Sequence, residues 1–371
     1  MKKITFYILG SFITLLILYL VFFVYFFFTL DKEFRYNFSS IEYLNFYKEY
    51  SKKVNHLRFR PKFKLNSKQE QLFTILNSSK NSKTILFQGD SWIQGMLKKP
   101  KAKDYLIKFV GNDAKLVNAG ITSFSPSLIN VQYSVLENDF KIKPEILFIY
   151  IDQTDIGDEY CRYKNLRYLN QNGNLEKVLY EEFPIFKGTF NIHEILMLSE
   201  IDLKYKSKII KTHKYINYKL IKSINRFKKQ YQRIIKKDYY FEKCDSQKME
   251  SYFISANHEA NIHFEKVLKE YFEKITNKDY LKKIFIITHP HKTHISSNKY
   301  EMNVSNLVEN VTKSFPKVKH INFTNILKND PSFYDGANEI WMSDQMHLVD
   351  SSYFFFIKEI LRVSNIKEFN N

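Results

Sequence analysis

Cysteine is scarce in this 371-residue chain: there are two, Cys161 and Cys244. Two thiols exclude a disulfide framework and a cysteine-rich metal site. In an oxidising compartment they can form one bridge; two buried free thiols are the alternative. No internal repeat is present, which removes solenoid and propeller architectures. Zinc-finger spacing and other nucleic-acid signatures are also missing. Acidic residues are few, with 39 Asp and Glu against 57 Lys and Arg, so the formal charge is +18 and the pI about 9.4. Such a balance favours anionic partners. Without a nucleic-acid motif, the expected partners are anionic lipid headgroups or an acidic glycan, and no nucleic acid. The hydrophobic fraction of 44% is that of a globular core.

Charge is absent from Ile4 to Leu30. At about 1.5 Å per residue this run can span the roughly 30 Å hydrocarbon core of a bilayer. It closes with the bulky Phe26, Phe27 and Phe28 rather than the small residues of a cleavage site. Residues 1–30 therefore read as an uncleaved transmembrane anchor. Lys2 and Lys3 place the N-terminus in the cytoplasm and the remainder of this single-pass protein outside it, although Lys32, Arg35 and Lys48 reduce the asymmetry. Residues 31–82 read as a stalk, with helix expected around Glu42 to Lys53 and Gln69 to Leu76.

From residue 83 to the end the pattern alternates. Short apolar runs suited to buried strands occur at Thr84–Gln88, Lys115–Asn118, Glu145–Ile151, Lys283–Thr288 and Val318–Phe323. Helical spacing separates them at Ser127–Phe140, Ala256–Ile275, Tyr300–Ser314 and Ser351–Val363. Strands alternating with helices imply a parallel sheet covered on both faces, with reactive groups beyond the carboxyl ends of the strands. Lys204 to Lys237 interrupts the alternation with thirteen Lys and Arg and no acid. Ile209, Ile216, Leu220, Ile224, Phe227, Tyr231 and Ile234 recur there at helical spacing. Either this stripe docks on the domain while the lysines face water, or the helix lies on an anionic membrane.

The strand ends carry the candidate chemistry. Gly89, Asp90, Ser91 and Trp92 follow the first run. A serine just past a strand can project its hydroxyl into a cleft, and Gly89 allows close backbone approach. Asn118, Ala119 and Gly120 end the second, where a glycine can offer its N–H without side-chain obstruction. Asp152, Gln153, Thr154 and Asp155 end the third. The fourth is followed by His289, Pro290 and His291. Near the C-terminus, Asp344 and His347 stand three residues apart, a spacing that lets the carboxylate hold one imidazole nitrogen while the other faces a nucleophile. Asp90, Trp92, Asp155, His289, His291 and Trp341 are candidate substrate-binding residues, the two tryptophans as a sugar-stacking wall. A metal held by the aspartates or by His289 and His291 is the lesser expectation, and none is assigned; nor is a cofactor.

Taken together, Gly89, Asp90 and Ser91, then Gly120, then Asp344 and His347 resemble the blocks of the SGNH (GDSL) hydrolase family in their order along the chain. The resemblance covers roughly residues 83 to 365. It implies a flavodoxin-like three-layer α/β/α sandwich, here preceded by a transmembrane helix and carrying a basic helical insertion at about 200–240. It implies ester chemistry through an acyl-enzyme on Ser91, with His347 as general base and Asp344 as its orienter. The implied oxyanion hole is the Ser91 N–H, the Gly120 N–H and a third-block side chain. The family pattern there is Gly-x-Asn-Asp, and Thr154 occupies the asparagine position. The implied activity is an esterase acting on O-acyl, expected O-acetyl, groups of cell-surface glycan. A glycan O-acyltransferase with the same triad, and a non-catalytic glycan-binding or assembly protein, are the alternatives.

Overall fold

The computed structural model describes residues 2–33, 41–51, 72–77, 83–96, 99–111, 114–178, 192–236, 258–292, 303–328, 340–341 and 347–366. The chain divides into two compact units: Met1–Ser51, His56–Lys68 and Glu181–Tyr240 form one, and Lys52–Asn55, Gln69–Tyr180 and Phe241–Asn371 the other. In chain order the elements begin with α1 (Lys2–Glu33), α2 (Ile41–Ser51), β1 (Thr74–Asn77), β2 (Lys83–Gly89), α3 (Ser91–Met96) and α4 (Pro100–Val110). Next come β3 (Ala114–Gly120), α5 (Pro126–Asn138), β4 (Ile146–Ile151), α6 (Thr154–Gly157), β5 (Arg167–Leu169) and β6 (Leu175–Val178). α7 (Ile192–Lys204), α8 (Lys208–Lys236), α9 (Glu259–Thr276), β7 (Lys283–Thr288), α10 (Asn303–Thr312), β8 (Val318–Asn322), α11 (Phe323–Lys328) and α12 (Asp350–Ser364) complete it.

The larger unit is mixed α/β around a six-stranded, mostly parallel sheet in the order β1-β3-β2-β4-β7-β8. β1 alone is antiparallel, pairing Thr74 with Asn118 and Ile75 with Val117. The five parallel strands run in the doubly wound order 2-1-3-4-5, which opens a crevice at the carboxyl ends of β2 and β4. All six residues of β4 are buried, as expected of a strand covered on both faces. One face packs Ile85, Phe87, Phe148, Phe285 and Ile321 against α3, α4, α11 and α12. Phe87, Phe148 and Phe285 are in register on three adjacent strands and stack at centroid separations of 4.9 and 5.1 Å. Each such pair adds about 0.5–1.5 kcal/mol beyond its buried area. The other face meets α5 and α9 through Gln88, which donates to the Ile129 carbonyl and accepts from the Tyr271 hydroxyl.

The sheet starts before residue 83. Thr74–Leu76, expected as the end of a stalk helix that starts at Gln69, belong instead to the edge strand β1, which covers the outer edge of β3. Pairing with a waiting strand outweighs the weak helical spacing of so short a segment. The hairpin β5–β6, closed through Asn170 and Gly173, was also absent from the sequence pattern. Cys161 is disulfide-bonded, and Cys244 is the one other cysteine in the sequence; Cys244 itself lies outside the described residues.

Glu159 anchors the start of α5. Its carboxylate accepts from the Ser125 hydroxyl at 2.5 Å, the Ser127 N–H at 2.9 Å and the Ser127 hydroxyl at 2.6 Å. His263 Nε2 lies 3.4 Å away. Burial alone would raise its pKa; His263 and the two serines outweigh burial and hold it below the usual carboxylate range. A depressed folded pKa contributes stability above the unfolded value and loses it as pH falls through the folded one. Glu159→Gln is therefore expected to lower stability by about 1–3 kcal/mol near pH 7. In urea unfolding the gap to wild type should narrow as pH drops below about 4.

In the smaller unit α1 is long and apolar enough to cross a membrane over Leu9–Asp31, 23 residues. Its C-terminal turns meet α7 and α8 in a cluster of Leu30, Leu198, Ile201, Tyr215 and Tyr218. Lys208 pairs with Asp31 at 2.9 Å and Lys48 with Glu200 at 2.5 Å. α8 realises the basic helix expected from the pattern, but with its apolar stripe outward. Ile209, Leu220, Ile224 and Phe227 are exposed, while Tyr215, Tyr218 and Ile216 are buried. The side chains of Tyr231 and Ile234 lie outside the described residues.

Candidate active site

The site forms where β2, β3, β4 and β7 end. At Gly89 the backbone takes φ +150°, and a Cβ there would stand 2.8 Å from the Tyr150 carbonyl oxygen, so β2 passes β4 too closely for any side chain. Asp90 then turns the chain. Its Oδ1 accepts the Trp92 N–H at 2.8 Å, an N-cap that starts α3 at Ser91. Ser91 thus occupies the first helical position, where the backbone N–H has no partner within the helix.

His347 arrives from the far end of the chain. A bridge between Trp341 and Leu348, with the Val349 N–H donating to the Ile340 carbonyl at 3.0 Å, fixes the segment just before α12. The imidazole Nε2 lies 2.8 Å from Ser91 Oγ, across 256 residues of sequence. The two side chains are within hydrogen-bond reach, the separation that a nucleophile and its general base require. Asp344 lies outside the described residues.

The two other oxyanion donors suggested by the motifs are engaged elsewhere. The Gly120 N–H donates to Asn118 Oδ1 at 2.7 Å. A Cβ on Gly120 would stand 2.5 Å from the Gln94 nitrogen, so the glycine is required for packing of β3 on α3. The positive φ of this loop falls instead at Ser123, φ 62°, whose carbonyl accepts the Tyr163 hydroxyl at 2.7 Å. Nothing in the run Ile121 to Phe124 marks Ser123 in the sequence, because serine carries no left-handed preference. The Thr154 hydroxyl donates to Asp152 Oδ1 at 2.5 Å.

Asp152 is the hub that sequence reasoning missed. Its Oδ1 also accepts the N–H groups of Thr154 at 2.6 Å and Asp155 at 3.2 Å, and its Oδ2 meets His291 Nε2 at 3.0 Å. Burial would raise its pKa, but the His291 hydrogen bond and charge, then the His289 charge, carry it well below the ordinary range. Asp90 goes the other way: burial, then the charge on Asp152, push it well above its ordinary value. Asp155, fully buried, is raised for the same two reasons. Asp152, paired with His291, is thus pushed toward its charged form, while Asp90 and Asp155 beside it are pushed toward the neutral one.

The candidate substrate contacts are redistributed. Trp92 is 1% exposed and stacks on His289 at 3.6 Å, with Trp341, Tyr353 and Phe356 around it. Trp92 and Trp341 are thus core residues rather than a sugar-stacking wall, because α12 closes over them. His289 and His291 lie beneath the site, not on its rim. Asp90, Asp152 and His289 place one ligand atom each within 4.8 Å of one another, a set that can hold a metal. Both Asp152 oxygens already carry hydrogen bonds from His291, Thr154 and Asp155, which argues against a cation in their place.

No protein-family model and no curated protein matches the chain. Solved structures that align with it include a gut microbial diltiazem-metabolizing enzyme, at TM-score 0.40 and 9% identity, over 78% of this chain and 48% of that one. The chain thus spans about half the length of that enzyme. A catalytic mutant of the acetylxylan esterase Axe2 from Geobacillus stearothermophilus aligns at 0.39 and 12%, over 78% and 97%. The lipase/acylhydrolase from Enterococcus faecalis aligns at 0.35 and 11%, over 77% and 95%. At such scores these likenesses assign nothing to this chain, and the functional reading rests on its own residues.

Proposed function

We propose that this protein is a membrane-anchored serine esterase of the SGNH type, with a flavodoxin-like α/β/α domain acting on O-acyl groups of cell-surface glycan, O-acetyl in the first instance. The observation that carries the reading is the 2.8 Å approach of His347 Nε2 to Ser91 Oγ at the carboxyl end of a parallel strand. Ser91 Oγ attacks the ester carbonyl while His347 takes its proton, with Asp344 as orienter of the imidazole. The Ser91 N–H supports the oxyanion. Collapse of the tetrahedral adduct breaks the bond to the sugar oxygen, which leaves with the proton from His347. Water then enters by the reverse steps, releasing the carboxylic acid and free Ser91. α1 is the anchor, and the bonded Cys161 supports placing the larger unit in an oxidising, extracytoplasmic space.

A second reading has its own support. With the Gly120 N–H bonded to Asn118 and the Thr154 hydroxyl to Asp152, two of three expected oxyanion donors face other partners. Each missing donor costs about 3–4 kcal/mol of transition-state stabilisation. A chain that keeps the fold but binds glycan without turnover fits that geometry. Fluorophosphonate labelling of the full-length protein separates the two. Esterase chemistry predicts labelling that disappears in Ser91→Ala. A folded wild type that stays unlabelled would sink the esterase and favour the binding protein. Product analysis with an added acceptor glycan then distinguishes transfer to sugar from transfer to water.

A further inference from the structure

A tetrahedral adduct at Ser91 is stabilised by hydrogen-bond donors placed in advance, and one backbone N–H is a sparse supply. The Gly120 N–H and the Thr154 hydroxyl are engaged by Asn118 and Asp152. Another donor stands close by, on α3. Trp92, Ile93 and Met96 are the buried residues of that helix, while Ser91, Gln94 and Gly95 form its partly exposed side. Ser91 and Gln94 are three residues apart, so their Cβ atoms are neighbours, about 5–6 Å from each other. A helical side chain leans toward the N-terminal end of its helix, which carries the Gln94 carboxamide back toward Ser91.

That carboxamide is held in place. Thr122 Oγ1 donates to Gln94 Oε1 at 2.5 Å, a bond that ties α3 to the loop after β3. Thr122 is buried, and the Ile121 N–H before it donates to the Gly89 carbonyl at 3.0 Å. The loop that supplies the hydroxyl is thus fixed to the strand that leads to Ser91. Gln94 also packs directly on Gly120, where a Cβ would stand 2.5 Å from the Gln94 backbone nitrogen. With Oε1 engaged, the two hydrogens of Nε2 remain to be donated. Among the described residues Nε2 has no hydrogen-bond partner. The amide is oriented through its oxygen, open at its nitrogen and on the same helix side as the nucleophile.

We propose that Gln94 Nε2 is an oxyanion donor of this site, in place of the side-chain amide that Thr154 does not supply, and that Thr122 is its positioning residue. As Ser91 Oγ bonds to the ester carbon, the carbonyl π pair moves onto oxygen and accepts a hydrogen bond from Nε2. On collapse the pair re-forms the C=O bond, and the sugar oxygen leaves with the proton from His347. Gln94 neither gains nor loses a proton. The inference rests on the esterase reading of Ser91 and His347.

Hydrolysis of p-nitrophenyl acetate by the purified full chain tests it, with Ser91→Ala as the blank. Gln94→Glu keeps the oxygen that Thr122 bonds and removes the open donor. Gln94→Met removes both at similar volume. Each is expected to lower kcat about 100-fold or more, with KM within about twofold of wild type. Thr122→Val keeps the amide but frees its orientation, so a smaller loss of about tenfold is expected. Phosphonylation of Ser91 by a fluorophosphonate should slow in step with kcat, since that reaction also builds charge on an oxygen. Should one Gln94 variant fail to fold by circular dichroism, the other decides. A folded Gln94 variant within about threefold of wild-type kcat, beside an inactive Ser91→Ala, overturns the Gln94 role and leaves the esterase standing. A raised KM at unchanged kcat overturns it too, because it marks binding of the ground state. Wild-type turnover no greater than that of Ser91→Ala overturns the esterase reading and the Gln94 role together.

Discussion

Replacing His347 with alanine is expected to cut kcat on an activated ester by about a million-fold, near 8 kcal/mol of barrier. Ser91→Ala should do the same. The reason is geometric. Ser91 Oγ is a poor nucleophile while it holds its proton, and His347 Nε2 at 2.8 Å is placed to accept it. Because the two act as one unit, the double variant should be no slower than either single one. KM should change little, since neither side chain holds the substrate away from the reacting carbon. Stopped assays on purified single and double variants read all three quantities. A single variant that keeps a tenth of wild-type turnover would move the chemistry away from this pair.

The parallel strands were legible because each is a short apolar run that must be buried on both faces, and such runs are rare in the intervening polar segments. β2, β3, β4, β7 and β8 all fall within a residue or two of their patterns. Ser91 and His347 were legible from their places at strand and helix ends. What the pattern could not carry was direction. Gly120 stands where an open N–H was expected, yet the Asn118 side chain folds back on it, a contact between residues whose spacing says nothing of rotamer. Trp92 sits next to the nucleophile in sequence, but α3 turns it inward onto His289. The period of α8 was readable while its orientation was not, because Tyr215 and Tyr218, rather than the isoleucines, meet α1 and α7. β1 was missed because four residues are too few to show a period.

Asp152 should prove the most sensitive stability position near the site. Its carboxylate receives His291 Nε2, the Thr154 hydroxyl and two backbone N–H groups, all in a buried setting. Asp152→Ala removes every one of these acceptors at once and leaves the donors without water to replace it. A loss of about 3–5 kcal/mol is expected in urea unfolding. Asp152→Asn keeps the shape and one acceptor oxygen, so its loss should be smaller, about 1–3 kcal/mol. The two variants also differ from wild type in pH response. Asp90 and Asp155 are raised by burial and by the charge on Asp152. A raised folded pKa means stability present below the unfolded value, about 4, and lost as pH rises through the folded one. Removing the charge lets both aspartates ionise with less penalty, so the variants should lose less stability than wild type over that climb. A variant as stable as wild type, or one with an unchanged pH slope, would show that Asp152 does not hold the third strand end together.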